Sequence, residues 1–312
     1  MHPPSQPFPI LSKAWGLMVA VVVLSTAPTG ATLAGAPVGA PAPIPTETVK
    51  GKPQRIVSMN LCTDQLVLLL AERDRIASIS YLAFDPEISH HALLAQGLHA
   101  NHGQAEEILP LRPDLILAGT YTTRATTTIL RRFGHRILTL DPASGFADIH
   151  DNIRRVGKAL GEAPKAERII YDFDRRLADV RRRSSPGRLA PRTIVLQPRG
   201  MTTGPGSLVD GILRAAGLRN LSADLGVTGM GFLPLERLIA ARPDLLVVAA
   251  RTAERPSLTH QALHHPAHAA LGDARRIELP ASLWTCGGPQ AAEAVARLAK
   301  AADTRDEGKP RP

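Results

Sequence analysis

Short apolar runs alternate with amphipathic stretches along most of this chain. RIVSM (Arg55 to Met59), RIASIS (Arg75 to Ser80), DLILAG (Asp114 to Gly119) and RILTL (Arg136 to Leu140) are rich in Ile, Val and Leu. Such runs predict strands buried on both faces. Between the first two, TDQLVLLLA (Thr63 to Ala71) reads as an apolar helix with Thr63 or Asp64 as its N-cap. The order resumes in the second half with strand TIVLQ (Thr193 to Gln197), helix SLVDGILRAAG (Ser207 to Gly217), helix LPLERLIAA and strand DLLVVAA. Strand RRIELP (Arg275 to Pro280) and a last helix, PQAAEAVARLAKAA, complete it. Strands alternating with helices predict a parallel α/β fold.

One phrase occurs twice. EEILPLRPDLILAG (Glu106 to Gly119) and LERLIAARPDLLVVAA (Leu235 to Ala250) align with a shift of 130 positions, which pairs Glu106 with Glu236 and Pro113-Asp114-Leu115 with Pro243-Asp244-Leu245. A supersecondary unit repeated at that distance implies two lobes, not a solenoid. The lobes are expected at 53–160 and 185–302, with a linking helix over 161–184. Two helical segments lie between the halves, GFADIHDNIRRVGKALGE and APKAERIIYDFDRRLADVRRR. A helix from Lys165 to Arg183 is about 28 Å long, enough to cross between lobes. Lobes joined this way should hinge little, and their facing ends should bound a cleft.

The first residues differ from the rest. Lys13 is the only fully charged side chain before Glu47, and AWGLMVAVVVLST (Ala14 to Thr26) is a short apolar run followed by small residues. This is a secretory signal pattern, assigned to 1–36 with cleavage between Ala31 and Ala36. No cysteine follows the run, so the lipid-attachment signal of lipoproteins is missing and a soluble exported chain is expected. Residues 37–52 read as a flexible lead-in rich in Pro and Gly, and 303–312 as a disordered tail. The formal charge of +9 is spread over amphipathic segments, and its one dense run, Arg181 to Arg183, sits at a helix end. That distribution argues against nucleic acid.

In α/β lobes, ligands sit beyond the carboxyl ends of strands. The loops after each strand contribute Met59 and Asn60, Tyr81, Tyr121 with Arg124, Arg199 with Met201, then Arg251 and Trp284 as candidate contacts. The loop GMTTGPGSLVDG resembles a dinucleotide site but gives Gly-x-Gly-x-x-Val at Gly204 to Val209 and lacks the third glycine. No Walker lysine motif or Gly-x-Ser-x-Gly elbow occurs, and a helix N-terminus facing a cleft hosts an anion equally well. An α/β enzyme is therefore the minor alternative. The histidine clusters HHPAH (His264 to His268) and SHH (Ser89 to His91) raise bare zinc or manganese, but neither has the i, i+4 arrangement of a helical metal site.

With its motifs in this order, the chain resembles the class III periplasmic solute-binding proteins of ABC importers, which handle ferric siderophores, haem and cobalamin. The resemblance rests on the exported α/β chain, the RPDL phrase in each half, the single linking helix and the strand order, and covers about Pro53 to Ala302. It implies two lobes, each a mostly parallel sheet flanked by helices, with the ligand in the cleft between them. It implies a periplasmic monomer that is not an enzyme, holds no cofactor of its own and binds no nucleic acid. Its partners would be a small-molecule metal chelate and the permease dimer of an ABC importer in the inner membrane.

In members that bind cobalamin, one glutamate per lobe contacts permease arginines, and those positions align with Glu106 and Glu236, with Glu107 as the neighbouring alternative. A carboxylate early in a helix is also favoured by the dipole alone. Tyr81 and Trp284 match aromatic positions that flank the ligand there, whereas Ala100, Gly119 and Met230 stand where those members carry further aromatics. Met230 remains a candidate contact. Arg124, Arg199 and Arg251 suit an anionic chelate, because guanidinium pairs with oxygen ligands in a planar fork, and the net positive charge would steer one. A ferric siderophore is therefore expected ahead of cobalamin, with haem and other chelates after. Cys62 and Cys286 fall in cleft loops of opposite lobes. A bridge between them needs Cα atoms within about 7 Å, which the sequence leaves open.

Overall fold

The computed structural model describes residues 51–122, 124–183, 189–250 and 274–303. The N-terminal apolar run, most of the lead-in, Arg251, the His264 to His268 cluster and the tail after Asp303 lie outside them.

The first lobe is built from β1 (Ile56–Ser58), α1 (Leu61–Leu70), β2 (Ile76–Ser80), α2 (Ala92–Ala95), β3 (Ala100–Asn101), α3 (Ala105–Ile108), β4 (Leu115–Gly119), α4 (Arg124–Arg132) and β5 (Ile137–Leu140). Its strands lie in the order β3-β2-β1-β4-β5, every pair parallel. Two helices follow, α5 (Phe146–Leu160) and α6 (Ala163–Arg183). The second lobe contains β6 (Arg192–Leu196), β7 (Met201–Thr203), α7 (Leu208–Ala215), β8 (Arg219–Asn220), β9 (Met230–Phe232), α8 (Leu235–Ala241), β10 (Leu245–Ala250), β11 (Arg275–Pro280) and α9 (Ala291–Asp303). Its parallel sheet runs β11-β10-β6-β8, and β7 and β9 form a separate antiparallel ribbon.

Both sheets are parallel because every connection between their strands carries the chain back to the starting end. Their apolar side chains are buried on both faces: Ile56, Val57, Leu115, Ile116, Leu117, Val195 and Val247 have no exposed surface. One apolar cluster continues through both lobes, from Ile56 and Leu115 by way of Phe173 on α6 to Val195, Val247 and Leu298. The linking helix α6 packs on α5, where Gly157 permits the approach: a Cβ there would lie 2.5 Å from the Cβ of Ala166. At its 21 residues α6 is about 31 Å long.

Three local expectations are corrected. Helix α1 is capped by Asn60, whose side chain accepts the Cys62 N–H, and not by Thr63 or Asp64, which lie inside the helix and are buried. Arg124, read as part of the loop after Tyr121, instead opens α4, a strongly amphipathic helix that buries Thr127 and Leu130. The segment after Gln197, also read as loop, contains β7 and therefore an extra ribbon. Two- and three-residue strands leave too little sequence for an apolar period to register.

Candidate functional site

The repeated phrase is a joint between a helix and a strand. Arg112 and Arg242 end α3 with its following turn, and α8, in the left-handed region (φ 47° and 43°). The next proline bars a return to helical geometry. The aspartate then clamps the neighbouring strand: Asp114 accepts the N–H groups of Gln54 (2.6 Å) and Arg55 (3.0 Å), and Asp244 accepts that of Arg192 (2.8 Å). The arginine that opens the clamped strand reaches back to the helix end, Arg55 Nε to Leu111 O at 2.7 Å and Arg192 to Ala241 O at 2.7 Å. These bonds serve carbonyls that a helix C-terminus leaves open. In both lobes the joint precedes the strand next to the first one, β4 or β10. Arg55 and Arg192 were not singled out in the sequence, although each stands directly before an apolar run.

Glu106 and Glu236 lie in the first turns of α3 and α8, six residues before each left-handed arginine, and both are exposed. Glu107 differs. Its carboxylate accepts the His102 N–H at 2.6 Å and meets His102 Nδ1 at 2.9 Å, and the backbone bond first, then the ring contact, hold it below the usual carboxylate range.

Between the lobes lies a cavity of about 540 Å³. From the first lobe come Glu87, Ile88 and Pro142 to Ser144; from the second come Gln197, Pro198, Thr203, Gly206 to Val209, Gly229, Met230 and Ala249. Ala281, Trp284 and Thr285 close it. Among the described residues lining it, Glu87 alone carries a charge, and the exposed lining is mostly apolar. A second space of about 130 Å³ adjoins it, sharing Pro142, Ala143 and Thr285 and adding Asn60, Cys62, Tyr121 and Thr122.

The structure brings some expected contacts together and separates others. Met230 and Trp284 line the larger cavity, Trp284 with 5% of its surface exposed. Asn60 and Tyr121 line the smaller one, where the Asn60 amide donates to Thr122 Oγ1 at 2.7 Å. Met59 instead packs in the core with Val57, Ile116 and Leu130, because it continues the inward face of β1. Tyr81 stacks on His102, ring centres 5.0 Å apart, outside both spaces. Arg124 stands 5.9 Å from the Tyr121 ring centre, outside both linings. Arg199 is exposed in a left-handed turn (φ 63°), and Met201 pairs with Phe232 in the ribbon; neither lines either of these two spaces. Arg251 lies outside the described residues.

A disulfide joins Cys62 and Cys286, with Cα atoms 5.0 Å apart. It ties the first turn of α1 to the loop between β11 and α9, and so crosses from the first lobe to the second beside the smaller space. Behind α1, Asp64 is fully buried and accepts the Ser80 N–H (3.2 Å) and hydroxyl. Burial pushes its carboxyl up to about 7, against the lowering effect of the Ser58 and Ser80 hydrogen bonds. Groups of three or more His, Cys, Asp or Glu placed to hold a metal ion do not occur among the described residues.

The sequence profile of the family described as "Periplasmic binding protein" matches residues 56–280. A cobalamin-binding protein of Halobacterium salinarum is 25% identical over 227 residues, covering 70% of this chain and 60% of that protein. The chain thus spans about 60% of the length of that curated relative. An ABC transporter substrate-binding lipoprotein of Bacillus subtilis is 22% identical over 268 residues, 81% of each chain. Among solved structures, the apo periplasmic heme-binding protein RhuT from Roseiflexus sp. RS-1 superposes with a TM-score of 0.67 at 26% identity, covering 80% of this chain and 98% of its own.

Proposed function

This chain belongs to the periplasmic binding protein family, and on that premise we propose that it captures a tetrapyrrole metal chelate of the haem class between its lobes and delivers it to an ABC importer. The observation that carries the ligand class is the cavity lining: Trp284, Met230, Ile88, Leu208 and Val209 offer apolar surface, and no arginine or lysine lines it among the described residues. Its volume of about 540 Å³ falls within the range of sites that enclose a single small molecule. A siderophore that presents oxygen anions calls for cations at the wall, and Arg124 and Arg199 stand outside it. The haem-binding name of the Roseiflexus neighbour and the cobalamin-binding name of the Halobacterium relative support a macrocycle over an open-chain chelate.

The location follows the same reading. We place the mature protein in the periplasm, released by cleavage within the first 36 residues, with the exposed Glu106 and Glu236 as one importer contact on each lobe. Direct titration tests the ligand class. Hemin, cobalamin and a panel of ferric siderophores are added to purified protein while Trp fluorescence and the ligand absorption band are followed. Hemin is expected to quench and to bind most tightly. Tight binding of a ferric siderophore with none of hemin overturns the proposal.

A further inference from the structure

Trp284 reaches the cavity from the segment Ala281 to Gln290, which joins β11 to α9 and is fastened to both lobes. On the second lobe, at the end of β11, Ala281 O accepts the Trp284 N–H at 3.0 Å, the Thr285 N–H at 2.9 Å and the Thr285 hydroxyl at 2.8 Å. Just past Trp284 the chain is fastened to the first lobe instead, through the Cys62–Cys286 bond. The next residue meets that lobe too: a Cβ at Gly287 would fall 2.3 Å from the Cβ of Ala143 and 3.2 Å from Cγ1 of Ile149, so glycine permits the approach. The Gln290 amide, just before α9, donates to Cys286 O at 2.9 Å and steadies the return.

The bond therefore sits where it sets a wall of the cavity. Thr285 lines both the larger cavity and the smaller space, Trp284 the larger one, and Cys62 and Gly287 the smaller. On the first lobe Asn60 secures the other end of the bond: its side chain accepts the Cys62 N–H at 2.9 Å and donates to Thr122 Oγ1 at 2.7 Å. Trp284 is only 5% exposed although it lies on a connecting segment. A connection without such a tether moves freely on short timescales. A wall that the ligand has to order subtracts its ordering cost from the affinity.

We propose that the Cys62–Cys286 disulfide is a positioning element for ligand binding: it ties the Trp284 segment to the first lobe, so that the chelate meets a wall that is already ordered. Trp284 supplies the contact, and the two cysteines act through it. This role is separate from any effect of the bond on stability, because it depends on where the bond is placed and not on the length of chain it closes. The gain in affinity rests on the reading of the cleft as a tetrapyrrole site; the ordering of Trp284 does not.

Of the two tryptophans, Trp15 lies in the segment assigned to the signal, so the emission of the mature protein reports on Trp284. Acrylamide quenching of that emission in ligand-free protein, and hemin affinity, are measured for wild type, Cys62→Ala with Cys286→Ala, Gly287→Ala and Asp114→Ala. Gly287→Ala keeps the bond but sets a methyl group against Ala143, which pushes the segment off the first lobe. Asp114→Ala loosens the clamp before β1, outside both spaces, and serves as the control for lost stability alone. The cysteine variant and Gly287→Ala are expected to quench more readily and to bind hemin roughly threefold to tenfold more weakly, the cost of ordering a side chain at a binding surface. Most of that loss should appear as faster release. Asp114→Ala should lower the melting temperature and change neither readout. Unchanged quenching in the cysteine variant, or in Gly287→Ala where that variant does not fold, overturns the positioning role and leaves the tetrapyrrole reading standing. So does a loosened Trp284 with unchanged hemin affinity, or the same changes in Asp114→Ala. If hemin does not bind the wild type, the tetrapyrrole reading falls, and the quenching comparison decides the positioning by itself.

Discussion

Removing the Cys62–Cys286 disulfide should cost this protein a large part of its stability. The bridge joins residues 224 positions apart, nearly the whole folded chain. The chain-entropy relation for a closed loop of that length gives roughly 5 kcal/mol at 25 °C from restriction of the unfolded state. Because one apolar cluster runs through both lobes, unfolding should occur as a single transition, which lets that figure be read from denaturant melts. The variant is Cys62→Ala with Cys286→Ala, since a single change would leave a buried thiol at Cys286, which is 2% exposed. Wild-type protein melted with and without reductant separates loop entropy from the loss of the sulfur atoms. A loss of about 3–5 kcal/mol is expected, with a steeper denaturant dependence because the freed unfolded chain exposes more surface. A loss below about 1 kcal/mol, in the variant and on reduction alike, would rule out restriction of the unfolded chain as a source of stability. It would mean that the unfolded chain keeps the two ends together without the bond.

Three further outcomes are expected. Asp64 holds its proton up to about pH 7 when folded and releases it near 3.8 when unfolded, so the native state binds the extra proton in that window and stability falls as pH rises through it. Asp64→Asn should flatten that fall in thermal melts, and an unchanged pH slope would count against the assignment. Asp114→Ala and Asp244→Ala each remove the clamp on a neighbouring strand and should cost about 1–3 kcal/mol in denaturant melts; a cost near zero in both would show the joint to be ornamental. Glu106→Lys with Glu236→Lys should leave chelate affinity and folding unchanged, since both positions are exposed, while uptake in cells falls. Normal uptake would remove the docking role.

What the linear pattern determined was the alternation of buried runs and amphipathic segments, and hence two α/β halves and a connecting helix. That information is local: each strand and helix carries its own period, and Pro113-Asp114 and Pro243-Asp244 mark the same turn twice. The cleft was legible only as a set of loops after strands, and membership of the lining was decided elsewhere. Met59 continues β1 and is drawn into the core, Arg124 begins an amphipathic helix, and Arg199 stands in a turn beside the ribbon. Thr203, which reads as one more polar residue before a glycine loop, lines the cavity together with Met230, its partner in the ribbon. The pairing of Cys62 with Cys286 belongs to the same class. Sequence separation says nothing about whether two Cα atoms come within 5.0 Å; that distance is set by packing the last loop against the first helix, a contact between surfaces that have no period in common.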